Sequence, residues 1–233
     1  MTELLQNGFS AMKLSVSDAQ IAQLEDFTAR MLETNKVMNL TRITDPKEIA
    51  EKHLLDCASL LQIADFSHKS VIDVGCGAGF PGMPLHILCP SSRLTLLDSL
   101  GKRIRFLQGC IDGMQLSDIE AVHARAEEFA AKHREQYDFA VSRAVAQLNV
   151  LAELSLPLVK QGGAFIAMKS KDSDDELEQA KKAIRLLGGE IEKVIDYTIP
   201  NTDITHRLVV VRKKQHTPKQ YPRPFRKISA SPL

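Results

Sequence analysis

Asp73, Gly75, Gly77 and Gly79 stand at every second position, and Phe80, Pro81 and Gly82 follow. Before and between them, Val71, Ile72 and Val74 make a short apolar run of the kind a buried parallel strand uses. A glycine-rich turn at the carboxyl end of a strand lets a ligand approach the backbone, because no Cβ stands in the way. Pro81 is tolerated in the first turn of a helix, where its missing N–H is not needed. Residues 70–82 therefore read as strand, glycine turn and helix, the entry to a nucleotide-type site at the edge of an α/β sheet. The plainer alternative is a tight turn that only packs helix on strand.

The ligand class has two candidates. Gly77, Gly79 and Gly82 satisfy G-x-G-x-x-G, the dinucleotide pattern. Asp73, two residues before the first glycine, favours S-adenosylmethionine, and the run from Asp73 to Gly79 resembles motif I of the class I methyltransferases. Asp98 closes an apolar run, Arg93–Asp98, 23 residues after Gly75. That place suits a carboxylate accepting hydrogen bonds from both ribose hydroxyls of an adenosine. Its competing role is capping the next helix, which Ser99 can also do. The loop after a third strand, 119–123, carries Arg125, Ala126 and Glu127. In this fold it lies over an adenine, where backbone groups and an acid can read the base edge. Arg143 ends a fourth strand, 137–143, at the sheet edge that faces a ligand crevice. His53 and Asp56, three apart, can meet on one helix face. For His53 a partly buried helix histidine tied to a neighbour stands against a catalytic role.

These residues need elements to place them. Residues 1–16 read as irregular or loosely helical. A helix follows from Ser17, with Ile21, Leu24, Phe27 and Met31 at helical spacing. Residues 35–42 are too polar and irregular for a core element. Asp45-Pro46-Lys47-Glu48 reads as a capping box opening a second helix. Residues 1–63 are thus a helical appendage. From 64 to 213 strands and helices alternate: strands at 71–74, 93–98, 119–123, 137–143, 163–168, 190–199 and 206–211, with a helix after each of the first five. Helices are predicted at 82–88, closed by Pro90, at 100–114, at 147–159 and at 172–187, the last stopped by Gly188-Gly189. The link at 200–203 is too short for a parallel crossover, so the seventh strand runs antiparallel beside the sixth. The fold class is α/β: a class I methyltransferase, with a seven-stranded Rossmann-like sheet whose last strand is reversed. Residues 214–233, with four prolines, are predicted to be an extended basic tail.

The 233 residues are 44% hydrophobic and 25% charged, ordinary for a soluble globular protein. No apolar run has the length of a membrane span, and Met1–Asn7 lacks the features of a signal peptide. The four cysteines, Cys57, Cys76, Cys89 and Cys110, form no C-x-x-C pair, so neither a metal site nor a disulfide framework is expected. The cytoplasm is the expected compartment and a monomer the expected state. Net charge is +1, but Arg212 to Leu233 holds seven Lys/Arg and no acid, leaving 23 cations against 29 acids elsewhere, a net of −6. A basic tail on an acidic body fits a polyanion such as nucleic acid, or a merely solvated end.

Taken together, several stretches resemble one family, the bacterial small-subunit ribosomal RNA guanine-N7 methyltransferases (GidB/RsmG), over nearly the whole chain. The carriers are Asn35-Lys36 with Asn39-Leu40-Thr41, Lys52-His53-Leu54-Leu55-Asp56, and Asp73 through Gly82. Leu97-Asp98-Ser99, Lys102-Arg103, Arg125-Ala126-Glu127, Ser142-Arg143-Ala144 and Met168-Lys169 follow. The tail adds Thr217-Pro218-Lys219 and Tyr221-Pro222-Arg223. Cys57-Ala58 departs from the family's usual Ser and aliphatic residue. The resemblance implies methyl transfer from S-adenosylmethionine to N7 of one guanine in 16S ribosomal RNA, free or in a ribosomal subunit. It implies donor binding by Gly75, Phe80, Ala126, Glu127 and Arg143, beside the Gly77 and Asp98 already singled out.

N7 of guanine carries a lone pair and no proton, so no catalytic base is needed, and the chain has no Asp-Pro-Pro-Tyr or catalytic Pro-Cys. Catalysis is then positioning and electrostatics. Lys102, Arg125 and Lys169 are the candidate RNA contacts, against solvated surface cations. Two other readings stand beside this one: a nicotinamide-dependent oxidoreductase on the same glycine turn, and an RNA-binding module that kept the fold without catalysis.

Overall fold

The computed structural model describes residues 1–143 and 145–233. Ala144, the last residue of the Ser-Arg-Ala motif, lies outside the described residues. The chain opens with helices α1 (Thr2–Ala11) and α2 (Asp18–Met38). The first is a regular helix because Leu5 and Phe9 are buried on one side. The second starts at a capping box: the Ser17 side chain accepts from the Gln20 N–H, and the Gln20 side chain accepts from the Ser17 N–H. It also runs through residues 35–38, which sequence polarity placed outside a core element. Asn35 does not break it. Its Oδ1 accepts from the Leu40 and Thr41 N–H groups, tying down the chain just past the helix, and Asn39 ends it at φ 49°.

Asp45 caps the next helix as anticipated, accepting from Lys47 and Glu48 N–H. The reciprocal half of that box is not recorded; Glu48 pairs instead with Lys52. Helix α3 (Pro46–Ile49) widens into a π-helical stretch, Ala50–Leu55, then continues as α4 (Asp56–Ala58) and a 3₁₀ turn, Ser59–Gln62. Periodicity gave no sign of the widening.

Among the described residues seven strands form one sheet: β1 (Ser70–Val74), β2 (Arg93–Asp98), β3 (Ile119–His123), β4 (Tyr137–Arg143), β5 (Val159–Ser170), β6 (Gly189–Thr198) and β7 (Thr205–Lys213). Their order is β3-β2-β1-β4-β5-β7-β6. The first five are parallel. Strand β7 is antiparallel to both β5 and β6, as the short link between β6 and β7 requires. Strand β5 begins earlier than predicted because Val159 already pairs with Tyr137, ahead of an irregularity. The connecting helices are α5 (Gly82–Leu88), α6 (Gly101–Gly113), α7 (Ala126–Lys132), α8 (Leu148–Ser155) and α9 (Asp174–Leu186).

Each sheet face buries its own apolar cluster. Val71, Leu94, Val141 and Ile166 pack with α1, α2, α5 and α6 on one side. Ile72, Leu97, Ala140 and Phe165 pack with α7, α8 and α9 on the other. Phe27 and Met31 of α2 belong to the same cluster as Phe80 and Leu107. The N-terminal helices therefore form part of one sheet face. The four cysteines are free and buried. Among the described residues no helix is long and apolar enough to cross a membrane.

The C-terminal tail is not extended throughout. After an irregular stretch it forms α10 (Phe225–Ala230) and folds back on the body. Arg134 donates to the carbonyls of Thr217, Pro218 and Tyr221. Arg223 forks onto the buried Glu153 carboxylate, and Ile228 is buried. Proline content suggested extension, but it says nothing of docking. Several cations of the basic C-terminal stretch are tied to acids: Arg212 and Lys213 of β7 to Glu192 and Glu135, and Arg223 of the tail to Glu153. Lys219, Arg226 and Lys227 remain exposed.

Candidate functional site

Parallel pairing of β1 with β2 sets Val74 opposite Leu97, so the glycine turn and Asp98 leave the sheet side by side. The turn is fastened to β2. Gly75 and Cys76 N–H both donate to the Leu97 carbonyl, at 2.8 and 3.0 Å, and Gly77 N–H donates to Asp98 Oδ2 at 3.0 Å. Gly77 has φ +58°, and a Cβ there would meet nothing nearer than the Gly75 carbonyl at 3.9 Å. Its open side looks onto a cleft of about 550 Å³. Gly82 is demanded by packing: a Cβ would lie 2.4 Å from Leu96 Cδ2 and 2.8 Å from Asp73 Oδ2.

Gly75, Gly77, Phe80, Asp98 and Arg143 all line this cleft. A second cavity of about 170 Å³ adjoins it and shares Gly75, Asp98, Ser99 and Val145. Ala126 and Glu127 line the second cavity, together with Arg125. All seven residues named for the donor thus fall on two joined cavities at the carboxyl edge of the parallel strands. Ala126 and Glu127 occupy the first turn of α7.

Asp98 is 4% exposed and busy. Its Oδ1 accepts from the Leu100 N–H at 2.8 Å, and its Oδ2 also receives Arg103 Nη1 at 3.3 Å. It fastens the glycine turn and the approach to α6, and still faces the cleft. Asp73 lies under the turn, fully buried. Its Oδ2 accepts from the Gly82 N–H at 2.8 Å, while Oδ1 has no partner among the described residues. Burial pushes its pKa up to about 7; the Gly82 N–H and Arg143 oppose that, and the like charge of Asp98 adds to it. The Cys57 and Cys76 thiols beside it are held protonated. Burial pushes Cys57 up to about 12 and Cys76 well above the usual range.

Phe80 is the packing hub. His53 stacks on it at 4.5 Å between centroids, Phe27 meets it edge-on at 5.5 Å, and the Arg143 guanidinium sits 5.1 Å from its centre. Arg143 reaches back to the N-terminal helices. Its Nη1 donates to Asp56 Oδ2 at 2.9 Å and to the Lys52 carbonyl at 3.0 Å, and its Nη2 approaches His53 Nδ1 at 3.1 Å. Asp56 also accepts from Tyr197 at 2.6 Å and pairs with His206 at 2.8 Å. Burial would raise the Asp56 pKa, but His206, Arg143 and Tyr197 together hold it below the usual range. His53 and Asp56 are recorded on Arg143 rather than on each other, although their spacing allowed a direct contact. Burial first, then Arg143, takes His53 down to about 4, so its imidazole is neutral near pH 7. Its Nδ1 lies between the Arg143 guanidinium, a donor, and the Lys52 carbonyl at 3.0 Å, an acceptor, while Nε2 faces Thr41 Oγ1 at 3.2 Å.

The three candidate RNA contacts divide. Arg125 lines the second cavity at its rim. Lys102 is exposed on α6 and lines neither cavity. Lys169 is already engaged: it pairs with Glu176 at 2.5 Å and donates to the Ala146 carbonyl at 3.0 Å, with its side chain 12% exposed. Position after a strand could not show that. Sequence reasoning assigned no role at this site to Leu40, Thr41, Val145 or Phe225, all of which line the cavities. The first two arrive because the end of α2 folds over the cleft, and Phe225 because the tail docks. Neither long-range placement has a local signal.

A family model described as GidB, rRNA small subunit methyltransferase G, matches residues 20–205. A ribosomal RNA small subunit methyltransferase G of Clostridium botulinum is 44% identical over 233 residues, covering 99% of this chain and 98% of its own. That of Alkaliphilus oremlandii is 45% identical over 236 residues, covering 100% and 99%. Among solved structures, M. jannaschii TYW2 in complex with AdoMet superposes with TM-score 0.56 at 12% identity, over 73% of this chain and 77% of that one. A precorrin-6y C5,15-methyltransferase of Geobacter metallireducens gives 0.52 at 14%, over 74% and 92%. At such identities these two speak for the fold alone.

Proposed function

The chain belongs to the GidB family, rRNA small subunit methyltransferase G, and from that premise we propose that its cleft directs a methyl group to N7 of one guanine in 16S ribosomal RNA. The protein is an S-adenosylmethionine-dependent methyltransferase of small-subunit ribosomal RNA. The nicotinamide reading falls with the fold: the reversed β7 and the family are those of a methyltransferase.

One observation carries the site assignment: Gly75 and Gly77 of the glycine turn line the cleft beside Asp98, whose carboxylate fastens the turn from the end of β2 and still faces the cleft. The open face of Gly77 leaves room for a ligand that a Cβ would crowd. The residues present thus fit S-adenosylmethionine, which supplies an electrophilic methyl group when bound. Gly75, Gly77 and Phe80 would hold its amino-acid end, Asp98 its ribose, and Ala126 and Glu127 its base.

The chain's own part is placement. Guanine N7 offers an in-plane lone pair and no proton, so no residue need act as base. The guanine gains positive charge as the methyl arrives. A cation bonded to its O6 would oppose that charge. Arg143 is bonded to Asp56, so its charge is compensated. It is a positioning residue here, holding the helices, Phe80 and the cleft together. Neutral His53, stacked on Phe80, is a cleft wall that adds no positive charge. Arg125 at the rim of the second cavity and Lys102 on the exposed side of α6 supply phosphate contacts.

The division into appendage (1–63), methyltransferase domain (64–213) and tail (214–233) belongs to the same proposal, supported by the confinement of all seven strands to residues 70–213. So do a monomeric state and a cytoplasmic setting, which suit an enzyme of ribosome maturation. The test is transfer of labelled methyl from S-adenosylmethionine to purified small subunits, followed by nucleoside analysis. Label confined to 7-methylguanosine is the expected result. Label in another nucleoside moves the acceptor atom. Donor binding without transfer to subunits, precursors or total RNA keeps the fold and moves the substrate elsewhere; no donor binding returns the chain to an RNA-binding module.

A further inference from the structure

We infer that Phe225, from the C-terminal tail, is a donor-binding residue that forms the outer wall of the adenine pocket. The inference rests on the methyltransferase reading and deepens it. The second cavity is walled by Val74, Leu97 and Leu154 from the body and by Phe225 from α10. Glu127, its side chain only 10% exposed, provides a polar edge. Apolar faces with an acceptor at one edge suit a flat base with an exocyclic amine. Arg125 lies 5.8 Å from the Phe225 ring centre, on the same rim, so the ring is gripped from one side.

Phe225 is 39% exposed, so packing alone does not account for its position. What places it is the anchorage of the tail. Arg223, two residues earlier, forks onto Glu153, whose carboxylate is fully buried in α8. Ile228, three residues later, is also fully buried. Phe225 is thus suspended between two fixed points across the mouth of the cavity. A base entering between it and the apolar floor would gain an aromatic face.

The experiment compares binding of S-adenosylhomocysteine, by calorimetry, to the wild-type chain, Phe225→Ala and Phe225→Tyr. S-ribosylhomocysteine, which lacks the base, is the second ligand. Phe225→Ala is expected to weaken S-adenosylhomocysteine about tenfold, with the melting temperature held. Phe225→Tyr, which keeps the ring, retains wild-type affinity, and S-ribosylhomocysteine binds both variants and the wild type alike. Unchanged affinity in Phe225→Ala overturns the inference while the methyltransferase reading stands. An equal loss for both ligands also overturns it, since the effect would not lie at the base. Failure of the wild type to bind S-adenosylhomocysteine sinks the donor site and this inference with it.

Discussion

Arg143 spans from the end of β4 to the N-terminal helices, and its partner Asp56 is 1% exposed. A carboxylate so buried is tolerable only while its partners remain. Arg143→Ala should therefore cost about 3 kcal/mol or more in urea unfolding, the range for breaking a buried pair from one side. Arg143→Lys keeps the charge but loses the fork, and should fall between. Asp73 gives a pH signature. Its folded-state pKa of about 7 exceeds the ordinary carboxylate value. Between about pH 4 and 7 the folded chain holds a proton that the unfolded chain has released, so this residue's contribution to stability falls as pH rises, by up to about 1.4 kcal/mol per pH unit. Below that window the contribution is fully present. Asp73→Asn removes the titration, so the wild-type melting temperature, relative to the variant's, should drop across this window. Parallel curves for the two proteins would place the Asp73 pKa elsewhere.

The π-helical stretch and the tail helix both help complete the site from outside the sheet. The wide turn at Ala50–Leu55 lies in the same bent helical segment that carries His53 and Asp56, both recorded on Arg143. Helix α10 is too short to stand alone; it is held by Arg223 on Glu153 and by buried Ile228. Glu153→Gln should weaken that fork while preserving shape. The expected outcome is faster proteolytic trimming after residue 214, at a rate that donor binding slows. Trimming at the wild-type rate would mean that Ile228 alone holds the helix. The element boundaries at β2, β3 and β4 were legible because apolar runs and their polar ends are local signals. The early start of β5 was not, because its first residues are selected by pairing with Tyr137.

At the scale of the molecule, charge is divided between an acidic body and a basic end, but ion pairs with Glu135, Glu153 and Glu192 neutralise part of that end. RNA affinity should then depend on salt through exposed cations such as Arg125 at the cavity rim and Lys102 on α6. Arg125→Ala and Lys102→Ala should each flatten the slope of log affinity against log salt by about 0.7 to 0.9, one phosphate contact's worth. Lys169→Ala should leave the slope unchanged and lower stability instead, since Lys169 is spent on Glu176 and the Ala146 carbonyl. A slope change in Lys169→Ala would show that RNA displaces Glu176.

The succession of strands, the reversed last strand, the glycine turn and its acid, and the place of Asp98 at the end of β2 could all be read along the chain. Each depends on a few neighbouring residues: apolar runs, glycines where φ is positive, a link too short to cross over. Tertiary structure alone decided that Arg143 is tied to Asp56, that Lys169 is spent, that Asp73 is fully buried with one oxygen lacking a partner among the described residues, and that Phe225 closes a cavity begun 151 residues earlier at Val74. Those facts depend on which distant groups meet in a low-dielectric interior, where pairing and burial are settled by packing rather than by sequence spacing.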